Sequence, residues 1–336
     1  MRSAVGPPSP IGRPQGSSEA PNPLQEILNL HCKDYPTDRI PVGCNLVVMP
    51  GWEGVGSHLL TAGSIKPNGP QNWGSDSKQF TAACIDKLVR NEKLRLQGRD
   101  LRYDQDISTL LDIPALLGTP RVPGPEKFQL NGEEQTITVY DLLCMRSGLP
   151  EVGAITLMSG IDAETLGTEE LLSRLAKHPG MVFPPGTSPP GTTHQYCITN
   201  YYLLAKIVEN VSGRPFVDFV REEILTPLHM SARCSIDPDC PQTIPGYDGD
   251  PDSSTYMQDV TSPNKSYGAT GLIGPPEDMK QWNAAIAQGD YGLLATPKAE
   301  DPSEKPSYCR GLSVSRVVIP MQGCQAGKTE MSFLAH

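Results

Sequence analysis

Residues 74–96 read GSDSKQFTAACIDKLVRNEKLRL, and this stretch decides how the rest of the chain is interpreted. Phe80, Cys84 and Leu88 recur at a helical spacing and form an apolar stripe along one face. The pattern therefore predicts a helix over 76–91. Because its apolar face is wide, we expect this helix to be buried on at least one side.

Ser75 and Lys78 stand three residues apart at the beginning of this predicted helix, a spacing that places both on one face. A serine at a helix N-terminus lies near backbone N–H groups that have no intrahelical partner. A lysine buried beside it can lose its proton, because desolvation lowers the pKa of an ammonium, and can then activate the hydroxyl as a nucleophile. The alternative is structural, since serine is common where helices begin and lysine is common anywhere.

The chain has the composition of a globular protein, with 336 residues of which 38% are hydrophobic and 20% charged. Its net charge of −10 argues against nucleic-acid and anionic-membrane partners. There is no apolar run of roughly 18 residues that could span a membrane. The N-terminus lacks the apolar core of a secretory signal, so we expect a cytoplasmic protein. We predict a disordered segment over 1–23 and one domain over 24–336.

The nine cysteines include no CxxC pair, and the six histidines are scattered. We therefore expect mainly free thiols, with Cys234 and Cys240 as one candidate pair. A zinc site is not indicated, because neither residue type shows ligand spacing, and no cofactor is expected.

Hydrophobic periodicity along the chain predicts a mixture of helices and strands. The predicted helices cover 24–33, 168–177, 200–213, 215–225 and 275–287. The predicted strands cover 40–49, 267–274, 311–320 and 329–335, whereas 50–73 and 234–264 are predicted to be mostly loop. Thr138 and Thr168 are predicted to cap helix beginnings, and Gly213 is predicted to end a helix in the left-handed conformation.

Two further stretches contain candidate catalytic or binding residues. Tyr196 lies between a Gly/Pro-rich loop and the predicted helix over 200–213, where its phenol could point into a cleft. The structural alternative is an aromatic residue packed at the surface. The stretch MQGCQAGKTEM at 321–331 looks like a phosphate loop. However, only three residues separate its first glycine from Gly-Lys-Thr, whereas the Walker pattern needs four. We therefore reject a nucleotide site there.

The order of motifs resembles that of the serine β-lactamase-like family, which includes class C β-lactamases, D-alanyl-D-alanine carboxypeptidases, D-aminopeptidases and related esterases. The motifs are SxxK at 75–78, DLLxxxSGLP at 141–150, PGTxxxY at 190–196 and GATGLIG at 268–274. The resemblance implies an α+β fold in which an antiparallel β-sheet is flanked by helices, with a mainly helical subdomain. We expect the chain to end before the helix that usually closes this fold.

The resemblance also implies a mechanism. Ser75 would attack a carbonyl carbon to form an acyl-enzyme, and Lys78 with Tyr196 would take and return the proton. The backbone N–H groups of Ser75 and, by motif position, Cys324 would form the oxyanion hole. The implied substrate is a small-molecule amide, ester or peptide, and no cofactor is implied.

Two motif positions depart from the family pattern. The second motif is usually Tyr-x-Asn, but Ile198 stands at the asparagine position; the third usually begins with Lys or His, but the best match begins with Met321. Three interpretations stay open: a hydrolase, an acyltransferase with the same nucleophile, or a catalytically impaired pseudoenzyme or ligand-binding module.

Overall fold

The computed structural model describes residues 23–33, 43–48, 58–63, 66–112, 128–130, 133–149, 151–152, 166–177, 194–243, 246–248, 257–259, 265–295 and 307–314. Its α-helices are α1 (Pro23–Lys33), α2 (Ser77–Arg90), α3 (Val139–Leu143), α4 (Thr168–Lys177), α5 (Thr199–Ser212), α6 (Phe216–Val220) and α7 (Asp278–Ala287). A π-helical turn, Arg221–Leu225, continues α6.

The strands are short, and every strand pair within the described ranges is antiparallel. They are β1 (Gly43–Val48), β2 (His58–Gly63), β3 (Gln71–Asn72), β4 (Phe128–Leu130), β5 (Glu133–Gln135), β6 (Arg233–Cys234), β7 (Gly246–Asp248), β8 (Met257–Asp259), β9 (Leu272–Gly274), β10 (Ser307–Cys309) and β11 (Leu312–Val314). A three-stranded sheet has the order β3-β9-β6, and the remaining strands form two-stranded pairs. Antiparallel sheets flanked by helices confirm the predicted α+β class.

Helix α2 lies at the centre of the core and packs against α5. Phe80, Cys84 and Leu88 are completely buried, as their spacing predicted. The Phe80 ring also stacks on Trp282 of α7, with ring centroids 4.1 Å apart, and on Trp73, at 5.4 Å. These stacked rings fix the beginning of α2 between the small sheet and α7.

The first turns of α2 also carry buried polar side chains, which fasten the helix to the segment before β9. The Ser77 hydroxyl accepts a hydrogen bond from the Leu272 N–H at 3.1 Å, and the Thr81 hydroxyl donates to the Gly268 carbonyl oxygen at 2.6 Å. Both partners are backbone groups that would otherwise be buried without water, so each bond offsets a desolvation cost. The bonds therefore fix how the segment 268–272 lies along the beginning of α2.

The predicted helix ends are mostly confirmed. Thr138 caps α3 in a capping box with Asp141, and Gly213 ends α5 in the left-handed conformation at φ +70°. The prediction for Thr168 was wrong, because its buried hydroxyl exchanges hydrogen bonds with the backbone of Tyr267.

Two predictions of loop structure were wrong in part. The stretch 50–73 contains β2 and β3, and the stretch 234–264 contains the end of β6 together with β7 and β8. These strands have two to six residues, which is too short for an alternating pattern to stand out among Gly, Pro, Asp and Ser. Conversely, only Leu272–Gly274 of the strand predicted over 267–274 is extended.

The expectation of free thiols needs one correction, because Cys144 and Cys309 form a disulfide. The two residues are 165 positions apart, so sequence spacing gave no indication that they meet. Cys234 and Cys240, the pair considered from the sequence, are both free thiols.

The predicted domain boundaries stay predictions, since residues 1–22 lie outside the described ranges, although Pro23 already belongs to α1. The strand predicted over 329–335 also lies outside them. Of the helices that the structure describes, none has the length and apolarity needed to cross a bilayer.

Candidate active site

Ser75 lies in a single 3-10 turn, Gly74–Asp76, that leads directly into α2. The preceding residue, Trp73, anchors this turn to β9: its backbone N–H donates to the Leu272 carbonyl at 2.9 Å and its indole N–H to the Gly274 carbonyl at 3.0 Å. No side-chain hydrogen bond caps α2. The structural alternative of a capping serine is therefore not what the geometry shows.

The Lys78 side chain is completely buried and ends beside the serine hydroxyl. Its Nζ lies 2.8 Å from Ser75 Oγ and donates to the Ala269 carbonyl oxygen at 2.9 Å. Burial lowers the pKa of Lys78 from 10.5 to about 8, against the opposing effect of Glu151 and Asp76, whose negative charges raise it. A lysine with this pKa is partly neutral near pH 7–8 and can accept a proton.

Tyr196 reaches the same hydroxyl from the segment before α5. Its Oη lies 2.7 Å from Ser75 Oγ, and Lys78 Nζ lies 5.1 Å from the centre of its ring. Burial of the phenol raises its pKa above 10, while the hydrogen bond to Ser75 acts in the opposite direction. Tyr196 keeps 41% of its surface exposed, so this side of the site is open to solvent. Because burial raises the pKa of Tyr196 above its usual value, the phenol is protonated at neutral pH.

Residues 147–149 of the SGLP motif, and residues 151–152 after it, pack beside the residues that follow Tyr196. The Cys197 thiol donates to the Leu149 carbonyl at 3.5 Å, and the Val152 N–H donates to the Thr199 hydroxyl at 3.0 Å. These contacts tie the beginning of α5 to the segment that follows α3. They bring together two segments that are 47 to 48 residues apart in the sequence.

Three of the four predicted site residues, Ser75, Lys78 and Tyr196, come together, and their roles stay predictions. Cys324, the fourth, lies outside the described residues, as does Met321. Ile198, at the position of the family's asparagine, is half-buried at the edge of the core, and its backbone N–H donates to Glu151 Oε2 at 2.6 Å.

Sequence reasoning missed two contributors to the site. The Ala269 carbonyl, which accepts from Lys78, had no signal beyond its place in the GATGLIG motif. Glu151 follows the SGLP motif directly, and that adjacency was the available signal. Within the described part of the chain, no group of three or more His, Cys, Asp or Glu side chains could hold a metal ion.

The sequence model of the family described as Beta-lactamase matches residues 47–318, which is most of the chain. The chain belongs to the Beta-lactamase family. This match confirms the resemblance drawn from the motif order.

Among curated relatives of this Beta-lactamase family member, a D-aminopeptidase from Cereibacter sphaeroides (strain ATCC 17029 / ATH 2.4.9) is 28% identical over 250 residues. That alignment covers 71% of this chain and 42% of the relative. A D-aminopeptidase from Brucella anthropi is 26% identical over 252 residues, covering 71% and 41%. The chain thus spans about two fifths of the length of these relatives.

Solved structures show the same fold. A D-stereospecific amidohydrolase from Streptomyces sp. superposes with a TM-score of 0.62 at 20% identity, covering 87% of this chain and 82% of that chain. The D-amino acid amidase from Ochrobactrum anthropi SV3 complexed with L-phenylalanine gives 0.61 at 19% identity, covering 87% and 79%. At these identities the likeness establishes the fold.

Proposed function

We propose that this protein is a serine hydrolase that cleaves small amide substrates through an acyl-enzyme on Ser75. The observation that carries the proposal is the convergence of Lys78 Nζ, at 2.8 Å, and Tyr196 Oη, at 2.7 Å, on Ser75 Oγ. A hydroxyl with a neutral amine and a phenol in hydrogen-bond contact has both a base and a proton donor in reach.

The protonation states of Lys78 and Tyr196 give these two residues different roles. Neutral Lys78 can donate an N–H to the Ala269 carbonyl and still offer its lone pair to the Ser75 hydroxyl proton. Tyr196, whose pKa is raised by burial, stays a phenol and can donate but not act as a tyrosinate base. Lys78 is therefore the base in this proposal, and Tyr196 supplies a proton to the departing group.

In the first step, Ser75 Oγ bonds to the substrate carbonyl carbon, its proton passes to Lys78 Nζ, and the carbonyl π electrons move to oxygen. In the second step, the carbonyl re-forms, the C–N bond breaks, and the amine leaves with a proton from Tyr196, which is replaced from Lys78. Water then bonds to the acyl carbon and gives a proton to Lys78, the bond to Ser75 Oγ breaks, and Oγ takes that proton back as the acid leaves. The Ser75 N–H is one predicted donor to the oxyanion, and Cys324 stays the predicted second donor.

The substrate class comes from the relatives. Two D-aminopeptidases match most of the chain, and a D-amino acid amidase shares its fold. We therefore propose an amide or short peptide of a D-amino acid as the substrate. The protein spans only part of these relatives, so the substrate must be tested on this chain itself.

The test uses a fluorophosphonate probe and intact-mass measurement. We expect one adduct per chain on the wild type and none on Ser75→Ala, followed by D-alanine p-nitroanilide hydrolysis that Ser75→Ala abolishes. No wild-type adduct, or an equal adduct on Ser75→Ala, would refute the nucleophile. An adduct without any turnover of amides or esters would favour the catalytically impaired alternative, whereas product formed only with added amine or alcohol would favour acyl transfer.

A further inference from the structure

Glu151 contacts the backbone beside Tyr196. Its Oε2 accepts the Ile198 N–H at 2.6 Å, which is a short bond for an amide and a carboxylate. Ile198 has an apolar side chain, so its backbone is the part that can hydrogen-bond. This N–H belongs to the turn that begins α5, where backbone donors lack intrahelical partners. The carboxylate thus fixes the turn that presents Tyr196 to Ser75.

Glu151 also acts on the site through its charge. Around the buried Lys78 amine, the groups that raise its pKa are Glu151, Asp76 and Cys197, and Glu151 has the largest effect of the three. Asp76 belongs to the turn that contains Ser75, Glu151 directly follows the SGLP motif, and Cys197 directly follows Tyr196. Tyr196 faces Lys78 as a neutral phenol. Glu151 is therefore the main negative charge that stabilises the buried Lys78 ammonium.

We propose that Glu151 is a positioning residue of the Ser75 site, which holds the Tyr196 segment through the Ile198 N–H and whose negative charge favours the Lys78 ammonium. The inference rests on the proposed function. When Lys78 takes the Ser75 proton, a positive charge forms in a desolvated place. A fixed carboxylate favours that charge, and the same carboxylate holds the phenol that completes the proton transfer.

Two variants separate these contributions. Glu151→Gln removes the charge but keeps a carbonyl oxygen that can accept from Ile198. Ile198→Pro removes the N–H but keeps the charge, and the backbone of Ile198 already has φ −67°, which proline requires. Proline is also tolerated in the first turn of a helix. Glu92→Gln is the matched control, because Glu92 is exposed beyond the far end of α2, about 20 Å from Lys78 along the helix axis.

The measurement is the rate of fluorophosphonate acylation between pH 6 and 10, with the Lys78 side chain titrated in parallel by NMR after specific lysine labelling. In Glu151→Gln we expect the pH midpoint of the acylation rate and that of the Lys78 titration to move lower by about half a unit or more. The limiting rate should fall several-fold, since the base is weaker. In Ile198→Pro we expect a limiting acylation rate about tenfold lower, with a smaller change in the pH midpoint. Glu92→Gln should match the wild type.

Unchanged pH profiles and unchanged limiting rates in both folded variants would overturn the inference while leaving the Ser75 nucleophile intact. A wild type that forms no Ser75 adduct would instead overturn the proposed function, and the NMR titration would still decide whether Glu151 acts on Lys78. Thermal melts identify variants that fail to fold. If Ile198→Pro does not fold, the pH movement in Glu151→Gln alone decides.

Discussion

The buried amine of Lys78 lies 2.8 Å from the hydroxyl oxygen of Ser75, and its second hydrogen bond goes to the Ala269 carbonyl. Both partners are uncharged, so the desolvation of the ammonium is only partly offset by hydrogen bonding. This arrangement makes the neutral amine accessible near physiological pH. It links the protonation of one lysine both to the reactivity of Ser75 and to the stability of the fold.

The first prediction concerns reactivity. Since the pKa of Lys78 is about 8 and the neutral amine is the base, the acylation rate should rise with pH through a midpoint near 8. Lys78→Arg should lose about 10²-fold or more at every pH, because a guanidinium keeps its proton. Fluorophosphonate labelling followed by mass measurement checks both expectations. Lys93→Arg, at an exposed position, is the control, and a flat wild-type profile would argue against a lysine base.

The second prediction concerns stability. Between pH 8 and 10.5 the unfolded chain holds a proton on Lys78 that the folded chain has lost, so folding gains stability as pH rises through this window. The gap between 10.5 and about 8 corresponds to on the order of 3 kcal/mol, fully unfavourable below pH 8.

We therefore expect Lys78→Met to be more stable than the wild type at pH 7, by about 1–2 kcal/mol once the lost hydrogen bonds are subtracted. The difference should shrink towards pH 10. Urea unfolding at several pH values measures it, and comparing the two proteins cancels the titration of other groups. A difference that stays constant with pH would contradict the assignment.

The third prediction concerns Tyr196. Tyr196→Phe removes the hydroxyl that lies 2.7 Å from Ser75 Oγ but keeps the ring. We expect amide turnover to fall about 10²-fold, since a positioned proton donor typically contributes that much. The melting temperature should change little, because Tyr196 is already 41% exposed. Tyr140→Phe, at a half-buried position on α3, is the control, and a Tyr196→Phe enzyme with wild-type turnover would exclude the proton-donor role.

The site residues with a sequence signal were those whose chemistry is in the side chain. Helical periodicity places Ser75 and Lys78 on one face, and the order of the motifs along the chain adds Tyr196 to them. Ala269 was not predictable, because its contribution is a carbonyl direction set by backbone angles. For Glu151 the sequence offered only its place directly after the SGLP motif, because its contact to Ile198 depends on how two distant segments pack.

The fold shows the same division. Helices α2 and α5 were predicted to within a residue or so, because each repeats its apolar pattern over 14 residues. Strands of two or three residues, such as β3 and β7, are specified by their partners and carry no periodicity of their own. The disulfide between Cys144 and Cys309 likewise depends on tertiary contact.

The last prediction concerns Gly268, which directs the neighbouring Ala269 carbonyl towards Lys78. Gly268 has φ +98°, and a Cβ at this position would lie 2.6 Å from the Ala205 Cβ and 2.7 Å from the Tyr201 carbonyl oxygen. Gly268→Ala therefore combines an unfavourable backbone conformation with a clash against α5, and we expect it to lower the free energy of unfolding by about 3 kcal/mol or more.

The matched control is Gly289→Ala, because Gly289 has a similar φ of +84° but nothing within 4 Å of the added Cβ. Backbone strain alone should cost this variant about 1 kcal/mol. Urea unfolding measures both variants, and the excess loss in Gly268→Ala reports the close approach of this turn to α5. If the two variants lose equal stability, the turn can shift away from α5. In that case the hydrogen bond from Lys78 to Ala269 should lengthen, and the pH midpoint of the acylation rate should shift in Gly268→Ala.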